Sequence, residues 1–198
     1  MFNKNWLAVL LCAVLASCAN TNVISHWQDA ENKITYKHPM IIGVSDSQQT
    51  RRLYEKYFVS QLKKHHVDAI PSYTLIDSKH IITRDIVLNA IKDTDIDAVL
   101  VSYLVSAESE VVDRNDSPFN TGYSGSADDN QISATIISKR GRSNDKEVFV
   151  LKNDLFDVRK KALIWSVQTK TVAPESIDKV ITDVVELLIK EMSADGVF

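Results

Sequence analysis

Apolar residues fall along this chain in distinct rhythms, and each rhythm predicts an element. Met40-Ile41-Ile42-Gly43-Val44 is a short unbroken apolar run, the pattern of a strand covered on both faces. From Gln48 to His66 the side chains of Leu53, Tyr54, Tyr57, Phe58 and Leu62 recur at spacings of three and four. That period predicts an amphipathic helix with Arg51, Arg52, Lys56 and Lys63 on its solvated side. Ser45-Asp46-Ser47 just ahead of it supplies capping oxygens. Val67 to Tyr73 reads as a second strand, and Pro71, which has no N–H to donate, points to an edge position or an irregularity. Thr83 caps a short helix whose apolar face is Ile86, Val87, Ala90 and Ile91. Ala98 to Val105 is the strongest strand pattern and belongs in the middle of the sheet.

The second half changes rhythm. Ile132–Ser138, Val148–Val158 and Leu163–Val172 read as strands without intervening helices, so they form an antiparallel meander. In the last of them Leu163, Trp165, Val167 and Thr169 share one face and Ile164, Ser166 and Gln168 the other, which places Trp165 in the core. Arg159-Lys160-Lys161 makes the hairpin turn. A final helix opens at Pro174 and Glu175 and is closed by Gly196; Ile177, Val180, Ile181, Val184, Leu187, Leu188 and Met192 face the core. The fold class is therefore α/β: a single mixed-sheet domain, β-α-β-α-β followed by an antiparallel β meander and a C-terminal helix. The parallel part has right-handed crossovers.

This domain spans residues 38–198, its first strand opening near Pro39. Residues 18–37 lack sustained periodicity and are polar apart from Val23, Ile24 and Trp27, so they read as a tether or loosely packed arm. A flexible coil of that length reaches about 25 Å. Residues 113–130, within the second half, are polar with two Gly and one Pro. They read as a mobile loop that cannot bury enough apolar surface to order itself.

Residues 1–17 have a different character. Lys4 precedes an apolar run from Trp6 to Ala16 that is too short to span a bilayer, which marks a secretory signal. Leu15-Ala16-Ser17-Cys18 at its end resembles the lipobox of bacterial lipoproteins. The resemblance implies diacylglycerol on the Cys18 thiol, cleavage between Ser17 and Cys18, and acylation of the new amine, for instance with palmitate. Several acyl chains together anchor stably where one anchors only reversibly. Ala19 in place of an Asp implies sorting to the outer membrane, periplasmic face, with the inner membrane second. The plainer alternative is an ordinary signal cut after Ala16 or Ser17.

Composition narrows the chemistry. Removing residues 1–17 takes the formal net charge from −3 to −4, because Lys4 is the only charged residue in the leader. A mildly acidic chain without a basic stripe is not a general nucleic-acid binder. The two cysteines are Cys12, lost with the leader, and Cys18, consumed by lipid. No thiol is left for a disulfide, a thiolate metal site or a nucleophile. His65 and His66 diverge by about 100 degrees on a helix and cannot chelate one ion as neighbours, and His26, His38 and His80 are isolated. Asp113, Asp116, Asp128 and Asp129 lack the spacing of a calcium loop. Asp154 and Asp157 read as turn and cap residues. Neither a nucleophile elbow nor a phosphate-binding glycine loop is present, so no catalytic, metal or cofactor residues are assigned.

Arg51-Arg52-Leu53-Tyr54-Glu55, Ile70-Pro71-Ser72-Tyr73, Asp97-Ala98-Val99-Leu100-Val101, Asp154-Leu155-Phe156-Asp157 and Leu163-Ile164-Trp165-Ser166 resemble a family of small bacterial envelope lipoproteins of unknown function. Their domain is similar to the amino-terminal domain of TolB and to the penicillin-binding-protein activator LpoB. The resemblance covers about residues 38–196, implies the same fold, and carries no catalytic residues. It implies a non-enzymatic interaction or assembly module of the cell envelope, held to the membrane through Cys18, with an envelope protein as partner and no nucleic acid. The alternative is a carrier or sensor of a small amphiphile in a pocket between helices and sheet.

Overall fold

The computed structural model describes residues 21–77, 81–110, 146–172 and 174–198. The leader, Cys18, His80, the expected loop over 113–130 with its four aspartates, and the expected strand Ile132–Ser138 lie outside the described residues. Along the chain the elements are β1 (Thr21–Gln28), β2 (Pro39–Gly43), α1 (Gln48–Lys64), β3 (Ile70–Pro71), α2 (Arg84–Ile91), β4 (Ala98–Glu110), β5 (Lys146–Asp157), β6 (Ala162–Val172) and α3 (Ile177–Ala194).

Among the described residues, six strands form one mixed sheet in the order β1-β6-β5-β4-β2-β3. β2 pairs parallel with β3 and β4, whereas β4–β5, β5–β6 and β6–β1 are antiparallel. The α/β class, the parallel first half, the meander and the C-terminal helix all follow the sequence reading. β4 lies inside the sheet and β3, with Pro71, forms its edge, as expected.

Two apolar cores flank the sheet. On one face, Tyr54, Phe58 and Leu62 of α1 and Val184, Val185 and Leu188 of α3 pack on Ile41, Leu100, Leu155, Trp165 and Val167. On the other, Val87 and Ile91 of α2 pack on Met40, Ile42, Val99 and Val101. Each helix starts on a hydroxyl cap: Ser47 Oγ accepts from the Thr50 amide at 3.2 Å, Thr83 from Ile86, and Ser176 from Lys179. At the end of α3, Gly196 adopts φ +69°. The Val197 amide then bonds Met192 O and the Gly196 amide Ser193 O. This pair of hydrogen bonds around a left-handed residue closes a helix and favours glycine there; α1 closes the same way on His66, at φ +61°.

The main correction concerns residues 18–37. Thr21–Gln28 is no tether but the outermost strand of the sheet, paired with β6 from Thr21↔Thr171 to Gln28↔Trp165. Further on, Tyr36 is completely buried. An edge strand shows little alternation when one face is open. A bulge between Val23 and Ser25 blurs the period further. The ladder bonds that hold it belong to the backbone and leave no mark on side-chain pattern.

Smaller corrections have equally local causes. The expected strand Val67–Tyr73 contracts to Ile70–Pro71 and gives way to a 3₁₀ turn over Ser72–Thr74, since Pro71 ends the ladder. In α3, Val185 and Ile189 are buried. Ile177, expected inside, is exposed, and Leu187 is only half-buried. On α1, Leu53 is exposed while Arg51, expected in solvent, is 3% exposed.

Candidate functional site

The residue ending α3 organises one end of the sheet. Asp195 Oδ2 accepts the indole N–H of Trp165 at 2.7 Å and lies 2.7 Å from His26 Nε2 of β1. The Gln28 side-chain amide donates to the Asp195 carbonyl at 3.0 Å. The His26 ring meets Trp165 edge-on, with centroids 6.4 Å apart and planes at 84°. Trp165 is buried as the strand alternation predicts. His26 is not isolated: its partner lies near the other end of the chain, where no short-range pattern signals it. Beside this junction, Gln28, Asp29, Asn32, Lys33, Asp195 and Gly196 line a half-open polar cleft of about 310 Å³.

A second knot explains the buried Arg51. Glu55, four residues further along α1, is also fully buried. Its Oε1 accepts from Arg51 Nε at 2.9 Å, Ser72 Oγ at 2.6 Å and the Gly43 amide at 3.1 Å. Oε2 accepts from the Tyr73 amide at 3.0 Å. One carboxylate thus joins α1, the end of β2 and the turn after β3, and the guanidinium offsets its charge. The i,i+4 pair is visible in the sequence, but its burial depends on the turn at Ser72.

A third knot sits where β5 turns into β6. Asp157 Oδ1 accepts from the Lys160 amide at 2.7 Å and Oδ2 from the Tyr36 hydroxyl at 2.8 Å. Burial pushes this carboxyl up, but the Lys160 amide and the Tyr36 hydroxyl outweigh it and hold it below its ordinary value. Tyr36 is pushed well above the usual phenol range, first by burial and then by Asp157. Asp157 is therefore a turn residue, as expected.

Asp154 corrects the same expectation: it lies within β5, opposite Ser166 and Val101. Its Oδ1 accepts from Ser166 Oγ at 2.6 Å and its Oδ2 from the Tyr103 hydroxyl at 3.2 Å, with Lys152 Nζ at 3.3 Å. Trp27 of β1 pairs with Ser166 and is 48% exposed.

In chemical terms, Glu55, Asp154, Asp157 and Asp195 each accept from two or more donors and join separate elements. Among the described residues, no three His, Cys, Asp or Glu side chains are grouped to hold a metal ion. His65, the C-cap of α1, and His66 are exposed, as expected for the end of that helix.

No family model matches this chain. No curated protein does either. Among solved structures, the chain is similar to the PelC dodecamer from Paraburkholderia phytofirmans. The identity is 12% and the TM-score 0.48, over 83% of this chain and 91% of that one. It is also similar to the lipoprotein GNA1162 from Neisseria meningitidis, at 11% identity and a TM-score of 0.42, over 80% of this chain and 99% of that one.

Proposed function

We propose that this protein is a lipoprotein of the bacterial cell envelope, anchored by acyl chains on Cys18 at the periplasmic face of the outer membrane. Its domain serves as a non-enzymatic interaction or assembly module for another envelope protein, in the manner of a TolB amino-terminal-like, LpoB-like domain. The observation that carries the reading is Leu15-Ala16-Ser17-Cys18 at the end of a short apolar leader, with a folded domain starting three residues later at Thr21. Among the described residues no helix is long and apolar enough to cross a membrane. The carboxylates of the domain act as ties between elements, which suits a rigid platform. The carrier reading finds less support, because the space between α1, α3 and the sheet is filled by the buried side chains of Tyr54, Phe58, Trp165 and Leu188, where an amphiphile needs an open apolar pocket.

Labelling cells with radioactive palmitate tests the anchor. The wild type takes up label, and Cys18→Ser takes up none and keeps its leader. Label in the variant, or none in the wild type, defeats the anchor. Crosslinking in cells followed by recovery of the protein tests the module: a reproducible envelope partner supports it, and recovery of the chain alone opposes it.

A further inference from the structure

The two edges of the described sheet are finished differently. β3 is two residues long and carries Pro71, so it offers a neighbouring chain almost no backbone to pair with. β1 is eight residues long and contains no Lys, Arg, Asp, Glu or Pro. It lacks the charges and prolines that blunt an edge, and it exposes Ile24 to 50% and Trp27 to 48%. Ile24 sits in the bulge between Val23 and Ser25, and a bulge turns an edge away from neighbours. Residues 25–28 are left as a regular, uncharged stretch of open edge.

Backbone directions on that stretch follow from one hydrogen bond. The Asp29 amide donates to the Ile164 carbonyl at 3.0 Å, one step past the pair Gln28↔Trp165. Backbone groups in an antiparallel ladder alternate between the two sides of a strand. Trp27, like Asp29, therefore turns its N–H and C=O toward β6, and His26 and Gln28 turn theirs to the open edge. The Trp27 side chain stands between them, on the sheet face of Ser166 and Asp154. This row is level with Val101 and Asp154, far along β4 and β5 from Glu110 and Lys146, where the chain leaves the described residues. At about 3.3 Å per residue the separation exceeds about 25 Å.

We propose that residues 25–28 are an interface between two copies of this chain, paired antiparallel about a two-fold axis beside Trp27. A matching strand must present outward backbone groups two residues apart, with an apolar side chain between them and no charge against Asp29. β1 of a second copy meets each condition. His26 of one copy faces Gln28 of the other, and every outward N–H and C=O of these two residues is then satisfied. Trp27 faces Trp27 of the second copy at a non-hydrogen-bonded position, where side chains lie closest and an aromatic pair stabilises most. Asp29 falls opposite Ser25, so no carboxylate meets its like. The contact is isologous and closed, and it joins the two sheets into one. The pairing needs no lipid on Cys18.

The test uses the full chain in bacterial membranes. Trp27→Cys and Asn22→Cys are made singly, oxidised with copper phenanthroline and run without reductant, and linked peptides are identified by mass. In the paired register two copies of position 27 have Cα atoms about 4.5 Å apart, within disulfide range, whereas two copies of position 22 lie about 33 Å apart. Trp27→Cys is expected to form a 27–27 link in most of the folded protein, and Asn22→Cys no 22–22 link. Wild type purified in detergent is expected to sediment as two copies. Trp27→Lys, which puts like charges on the axis, is expected to sediment as one copy with an unchanged melting temperature. If Trp27→Lys fails to fold, the link at position 27 decides alone. Absence of that link from folded Trp27→Cys overturns the proposal, whatever the mass of wild type. Linking at 22 and 27 to the same extent also overturns it, since collision then joins the copies. A link from position 27 to a different protein overturns it in favour of a strand supplied by that partner.

Discussion

The indole N–H of Trp165 donates to the Asp195 carboxylate at 2.7 Å, tying the largest fully buried side chain of the core to the residue that ends the last helix. A buried indole keeps one polar atom that must find an acceptor, and here the acceptor also faces His26 of β1.

Trp165→Ala should lower stability by about 3–5 kcal/mol through the cavity it leaves. Trp165→Phe keeps most of the packing and removes the hydrogen bond, for a loss of about 1–2 kcal/mol. Denaturant unfolding followed by far-UV circular dichroism measures both. An unchanged midpoint for the Ala variant would place Trp165 outside the core.

Asp195→Ala should loosen β1 selectively, since it removes the acceptor shared by Trp165 and His26 while the β2 ladder stays intact. Amide exchange should accelerate over 21–28 more than over 39–43. Equal acceleration in both strands would show that Asp195 supports the whole fold and holds no particular grip on β1.

Removing one partner of the Arg51–Glu55 pair leaves a buried charge without compensation. Arg51→Met and Glu55→Leu should each cost about 3–5 kcal/mol. The double variant should recover only part of that loss, because the Gly43 and Tyr73 amides also lose Glu55 as acceptor. Full recovery in the double variant would mean that these two amides find other acceptors.

Asp157 titrates lower in the fold than in the unfolded chain, so it contributes stability above its unfolded value of about 4 and loses it as pH falls through the folded value. Wild type and Asp157→Asn should therefore differ most near neutral pH and converge on acidification. Melting temperatures from pH 7 down to about pH 2 give the comparison. A constant gap would remove the charge of Asp157 from the explanation.

Gly43→Ala should destabilise by about 1–3 kcal/mol. A Cβ built at Gly43 falls 2.7 Å from Tyr54 Cδ1, and the Tyr54 ring is held by a 2.6 Å hydrogen bond between its hydroxyl and Ser102. A melting curve identical to wild type would mean that the ring swings aside freely.

The elements that proved most legible are those whose side chains carry their own period. α1, α2 and α3 were readable because apolar spacing and a capping hydroxyl coincide at Ser47 and Thr83, and Gly196 marks the close of α3. β4 was readable from an apolar run and β6 from the alternation of Trp165, Val167 and Thr169. A bulge beside Ile164, however, brings that residue, expected on the opposite face, into the same core as Trp165 and leaves Leu163 half-buried. Pro71 announced the edge strand. Helix faces were readable only to within a residue or two: α3 buries Val185 and Ile189 in place of Ile177 and Leu187, since the crossing over the sheet selects which part of a wide apolar face turns inward.

The chain by itself determined the α/β class, the parallel-then-antiparallel order and the burial of Trp165, all of which depend on neighbours within a few residues. Tertiary structure alone decided that Thr21–Gln28 joins the sheet, because backbone pairing with β6 carries no side-chain signature. It also decided that Arg51 is buried and that His26 meets Asp195. A charged residue enters the interior only where partners satisfy it, and Ser72, which accepts from Arg51, comes within reach only once β3 has paired with β2, just as the end of α3 meets the exposed His26 only once β1 has paired with β6.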